Sequence, residues 1–236
     1  MSLSALLLVA AFPWFGDNFT QDDLIIAVNN SRHATVQDYL LRGGDADAAD
    51  RDGNSLLMLA ARAKDARMID LLLRARAKPH GTNLRGETAL MHAAWSRCEP
   101  CVELLLQRGV RTDPPGSEWT ALHYSAHQGD ARIVARLLFA GAEPNARSRN
   151  GTTPLMMGAM SGVADVARAL LKGGADPALR NANQDRAEDL ALARRHTDYA
   201  AVLRGEEPRS LFERVIERVR PGTRPPEGAD TPVSAQ

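Results

Sequence analysis

Four consecutive stretches of the chain are variants of one another, and their spacing limits the fold more than any other feature. They begin at Gly53 (GNSLLMLAARAKDARMIDLLLRARA), Gly86 (GETALMHAAWSRCEPCVELLLQRGV), Glu118 (EWTALHYSAHQGDARIVARLLFAGA) and Gly151 (GTTPLMMGAMSGVADVARALLKGGA). The starts fall 32 or 33 residues apart, and later glycines or their substitutes keep the step at Gly44, Arg76, Gly109, Gly141 and Gly174. A fixed period of this length marks an array of like units, each too small to bury its own apolar face.

The copy around Thr120 shows what one unit must do. Thr120 is placed to cap a first helix through its hydroxyl, and Leu122, Ser125 and Ala126 give that helix a small inner side. Gly129 ends it where a positive φ is needed. Ile133, Val134, Leu137 and Leu138 then follow at helical spacing as the apolar stripe of a second, longer helix. Gly141 closes that helix, and AEPNARSRNG runs out to the next unit. Few aromatics, abundant Ala and Leu and no β-branched runs point to an all-α fold.

The stretches TALHYSA, TPLMMGA, GAEPN and GGADP carry a resemblance to the ankyrin repeat, whose T-P-L-H-x-A core opens a helix–turn–helix unit. The resemblance covers about Asp22 to Gly205, with atypical units at both ends. It implies a solenoid of about six repeats, near 19–49, 50–82, 83–114, 115–147, 148–180 and 181–205. The order of features is also similar to that of small proteobacterial ankyrin proteins that begin with a signal peptide. The last unit carries Glu188, Asp189, Arg194, Arg195, His196, Asp198 and Arg204, a polar outer cap of the kind a stacked array needs.

The ends of the chain read differently. Leu3 to Phe12 (LSALLLVAAF) is nearly all apolar, too short to span a membrane, and of the length of a secretory signal's apolar centre. Val9 and Ala11 are small residues at plausible cleavage spacing, although no Lys or Arg precedes the run. The expectation is a signal-like or apolar arm over 1–18, and an exported, periplasmic protein. Residues 206–220 read as a short amphipathic helix and 221–236 as a disordered tail.

Charge and chemistry exclude several classes. Lys plus Arg equals Asp plus Glu in the 236 residues, giving a formal net charge of +0 and none of the basic excess that phosphate binding needs. No phosphate-cradling loop occurs. His123 occupies the TPLH position, where Met58, Met91 and Met156 stand in sibling units, so it reads as a packing and bridging residue. The expectation is no enzyme, no cofactor, no metal, no nucleic acid and no small-molecule substrate, with a monomeric chain. Cys98 and Cys101 leave alternatives open. A buried thiol pair leads, a local disulfide follows if the protein is exported, and a C-x-x-C redox or oxidative-stress function is the rival reading.

The ankyrin resemblance implies a protein partner held on the concave surface made by hairpin tips and first helices. Carried over position by position, the outward helix residues are Leu59 and Arg62, His92 and Trp95, Tyr124 and His127, and Met157 and Met160. The tips contribute Asn54, Glu87, Trp119 and Thr152, preceded by Arg51, Arg85 and Arg149. Trp95, Trp119, Tyr124, His92, His127, Met157, Met160, Arg85 and Arg149 are therefore the expected partner-binding set, with aromatics and methionines as its anchors.

Overall fold

Each period of the sequence becomes two short helices and an extended excursion. A computed structural model describes residues 19–115 and 118–206, so the expected arm over 1–18, the helix beyond 206 and the tail lie outside the described residues. The first pair is α1 (Gln21–Asn29) and α2 (His33–Leu41), followed by α3 (Leu56–Arg62) and α4 (Ala66–Arg74). Next come α5 (Ala89–Trp95) with α6 (Glu99–Gln107), and α7 (Ala121–His127) with α8 (Ala131–Phe139). The series ends with α9 (Pro154–Ser161) and α10 (Ala164–Lys172), then α11 (Ala187–Ala193) and α12 (Thr197–Leu203). Among the described residues there is no strand, only an isolated bridge between Ala49 and Ser55.

Two layers result. The first helices pack in the order α1, α3, α5, α7, α9, α11, and the second helices pack as α4, α6, α8, α10, α12. Small residues allow the close approach in the first layer: Ala60, Ala61, Ala93, Ala94, Ala126 and Ala159 are all buried. The second layer supplies bulk, with Met68, Ile69 and Leu72 in α4 answered by Ile133, Val134 and Leu137 in α8. One continuous apolar core therefore runs the length of the array.

The turns show what the period demands. The step between paired helices is left-handed in every unit, at Ser31, Lys64, Arg97, Gly129, Gly162 and Arg195. Only two of these are glycines, and a residue with a Cβ pays about 1–2 kcal/mol there. After the second helix the left-handed residue is Gly43, Arg76, Gly109, Gly141, Gly174 or Gly205. The repeating position of the first unit is thus Gly43, and the expectation of Gly44 is corrected by one residue. Gly44 answers a different need, since a Cβ on it would lie 2.3 Å from the Tyr39 ring.

Caps vary around one geometry. Ser55, Thr88 and Thr153 accept from the backbone N–H of Met58, Met91 and Met156 at 3.3–3.4 Å. At Thr120 the expected hydroxyl cap is replaced: its N–H donates to His123 Nδ1 at 3.2 Å, and its hydroxyl lies 3.0 Å from the same nitrogen. His123 Nε2 sits 3.1 Å from the Thr152 carbonyl, an acceptor, which fixes the ring proton on Nε2. The buried imidazole bridges two units, as its sequence position suggested. In the preceding unit the Met91 sulfur takes the place of Nδ1, accepting from Thr88 N–H at 3.4 Å.

The second helices α4 and α8 start at Asp65 and Asp130, whose carboxylates accept from Met68 and Ile133 N–H at 2.9 and 3.2 Å. In α6 the same place belongs to Cys98, with its sulfur 3.2 Å from Cys101 N. Cys98 and Cys101 are joined by a disulfide, Cα atoms 5.2 Å apart, so the expectation of a reduced pair gives way to the disulfide alternative. The physical reason is local: a helix N-cap and the third helical residue already stand at bridging distance. The closed loop is short, so the bond stabilises by about 2 kcal/mol through chain entropy. Reduction is expected to lower the unfolding free energy by that amount in a urea titration. Cys98→Asp with Cys101→Ile, the residues of the α8 start, should recover part of it without an oxidant.

Candidate functional site

The face made by tips and first helices is uneven, and its relief concentrates between the third and fourth units. The tip before α5 is built on Asn83. Its carbonyl oxygen accepts from the N–H of Arg85 and of Glu87, both at 2.9 Å. Its amide donates to Asn54 Oδ1 at 2.8 Å and to Glu87 Oε2 at 2.7 Å. Asn54 in turn donates to Asp50 Oδ2 at 2.8 Å, so consecutive tips are tied together through side chains. This explains why Asn54 is buried and not an outward tip residue as expected; its amide is consumed by the ladder. Thr152, also expected outward, is likewise buried, with its carbonyl facing His123.

Glu87 therefore stands fixed at the groove edge. Burial works against its charge, but hydrogen bonds from Asn83 and Arg85 outweigh it and hold the carboxyl below the usual range. Arg85 Nε donates to it at 3.1 Å, and the Tyr124 hydroxyl donates to its other oxygen at 3.2 Å. Burial, reinforced by that carboxylate, pushes the Tyr124 phenol up to about 12. Burial lowers His92 below the ordinary imidazole range despite Glu87 at 3.6 Å, and its Nε2 has no hydrogen-bond partner.

Around this carboxylate gather the rings. Trp95, from the last residue of α5, stacks on His127 at 5.7 Å with the planes 9° apart. It meets Tyr124 edge-on at the same separation. Trp119, just before α7, also lies 5.7 Å from Tyr124, tilted 38°. These side chains line a groove of two lobes, each about 400 Å³. One alone holds Arg62 and His92, the other Glu118, Trp119 and His127, with Arg85, Glu87, Met91, Trp95 and Tyr124 common to both.

The expected binding residues thus divide. Trp95, Trp119, Tyr124, His92, His127 and Arg85 meet in this groove, with Trp95 47% exposed. Arg149 is exposed at a later tip and does not line it, and Met160 is on the surface of α9. Met157 is corrected: it is 2% exposed and belongs to the core, as does Leu59. The Met157 helix, α9, packs between α7 and α11, and an unbranched thioether adapts readily to such a buried place. Sequence reasoning gave no weight to Glu118 and treated Glu87 only as a tip residue. Its signal was present in the short spacing from Asn83, the span of a tip ladder.

The arrangement is poorly suited to acid–base chemistry. Glu87 already accepts three hydrogen bonds, and Tyr124 keeps its proton far above neutrality. The disulfide is within the core, Cys101 fully buried and Cys98 5% exposed, where a thiol partner has little access. Among the described residues there is no cluster of three His, Cys, Asp or Glu placed to hold a metal. Nor is any described helix long and apolar enough to cross a membrane.

A row of paired helices with an open, ring-lined groove on its tip side defines a repeat protein of the solenoid class. A family model described as ankyrin repeats (3 copies) matches residues 24–115 and 111–181, and the chain belongs to that family. It is 32% identical over 167 residues to the nuclear factor NF-kappa-B p105 subunit of Gallus gallus, covering 68% of this chain and 17% of that protein. It is 28% identical over 200 residues to the B-cell lymphoma 3 protein homolog of Mus musculus, 82% of this chain and 44% of the relative. NF-kappa-B inhibitor epsilon of Homo sapiens is 32% identical over 186 residues, 74% and 37%. The chain spans less than half the length of each. These relatives are animal proteins and lend no support to the proteobacterial likeness.

Proposed function

We propose that this protein is a non-catalytic adaptor that binds a protein partner on the concave face formed by its tips and first helices, with the groove between the third and fourth units as the centre of contact. The observation that carries the reading is the exposure of Trp95 within a cluster of rings. Indoles and phenols in partly desolvated pockets are the usual anchors of protein interfaces. The relative named as an inhibitor of NF-kappa-B supports a protein partner as the class of ligand. A single chain presents the whole groove, which supports a monomeric working form. The apolar start of the sequence and the disulfide together support an exported protein in an oxidising compartment.

The test is capture of the partner from the native host's extract by wild type and by Trp95→Ala/Trp119→Ala. Each buried anchor contributes about 2 kcal/mol or more, so the double variant is expected to lose capture by at least tenfold. Its thermal transition should move little. Unfolding of the variant would instead make the rings part of the core.

A further inference from the structure

We propose that the lobe shared by Trp95 and Trp119 receives the guanidinium of an arginine carried on an extended segment of the partner protein; this rests on the binding role proposed above. Four rings line that lobe: Trp95, Trp119, Tyr124 and His127. Ring faces attract a cation through their quadrupole, more strongly when water is partly excluded.

The fixed charge points the same way. Two carboxylates, Glu87 and Glu118, stand in this lobe against one guanidinium, Arg85. Arg85 is committed to Glu87 at 3.1 Å, while Glu118 is exposed and has no ion pair among the described residues. In the neighbouring lobe burial holds His92 below the ordinary imidazole range, and the guanidinium of Arg62 lines that lobe and not this one. The lobe is therefore short of one positive charge, and Glu118 offers the unpaired acceptor.

Shape selects among cations. A guanidinium is a flat plate that can lie on an indole face while its edge donates to a carboxylate. The Trp95 and His127 planes lie 9° from parallel with centroids 5.7 Å apart, which gives this wall near-parallel faces for a flat group. A lysine ammonium has no flat face and holds its water tightly. A fully methylated ammonium has no N–H to give Glu118. An acidic segment meets two carboxylates, and a neutral aromatic leaves the charge of Glu118 uncompensated.

The full chain is screened at low salt against arrays of short peptides whose central residue is Arg, Lys, citrulline, trimethyllysine, Glu or Phe within randomised flanks. Arg-centred peptides are expected to dominate the retained set. Exchange of that arginine for citrulline, of equal shape but uncharged, should weaken retention by about tenfold. Glu118→Gln, a surface change that leaves folding intact, should weaken it by roughly threefold and lower its salt dependence. Retention that needs Trp95 and Trp119 but ignores the arginine, or that favours any other centre, overturns the guanidinium assignment and leaves the binding role standing. No retention sensitive to Trp95→Ala/Trp119→Ala overturns both.

Discussion

Tyr199→Ala is expected to cost about 3–5 kcal/mol and to melt the last unit while leaving the middle of the array folded. Tyr199 in α12 is completely buried, and its hydroxyl donates to the Leu155 carbonyl of α9 at 2.7 Å. Gly158 makes room for it, since a Cβ there would lie 2.4 Å from the Tyr199 oxygen. Removing the ring opens a cavity that the backbone of α9 cannot fill. Among the described residues the final unit has a neighbour on one side only, so its stability is its own plus a single described interface. Hydrogen exchange should show α11 and α12 losing protection while α5 to α8 keep theirs. Tyr199→Phe, which deletes one hydrogen bond, should cost about 1 kcal/mol. Global unfolding by the alanine variant would show that the array behaves as one cooperative block.

Leu137→Ala is expected to be as severe in free energy, about 2–5 kcal/mol, but different in reach. Leu137 is fully buried in α8, which packs against α7, α6 and α10. A defect there weakens two interfaces at once, so protection should fall on both sides of the fourth unit. The urea transition is expected to shift as a whole or to split into halves. Loss of protection confined to α8 alone would argue that the neighbouring units need no support from it. Together the two variants ask whether position along the array, more than the size of the cavity, sets the extent of unfolding.

Much of this architecture could be read before any coordinates. The period, the second-helix stripes and the left-handed turn at Gly129 are local signals, repeated often enough to reinforce one another. The aromatic groove was legible because aligned positions across units become neighbours, which brought Trp95, His127, Tyr124 and Trp119 together. What failed depended on side-chain freedom or on contacts between units. Met157 shares its position with Tyr124, yet its thioether folds inward. Asn54 looks like an outward tip residue until Asn83 of the next tip claims it. Tyr199 and Gly158 are matched across two units, and no periodic pattern announces such a pair. His33 and His196, isolated in the sequence, link units through Asp65 at 2.9 Å and the Ala159 carbonyl at 2.9 Å.

The varied start of the second helices has a further consequence. Burial opposes the charge of Asp65, but hydrogen bonds from Ser31 and His33 outweigh it and keep the carboxyl below its ordinary range, so strong acid undoes that cap. Cys98 performs the same task with a bond that acid leaves alone and electrons break. Adjacent rungs of one ladder therefore respond to different chemical insults. Breaking that one bond would loosen the start of α6 and leave the carboxylate caps of α4 and α8 in place.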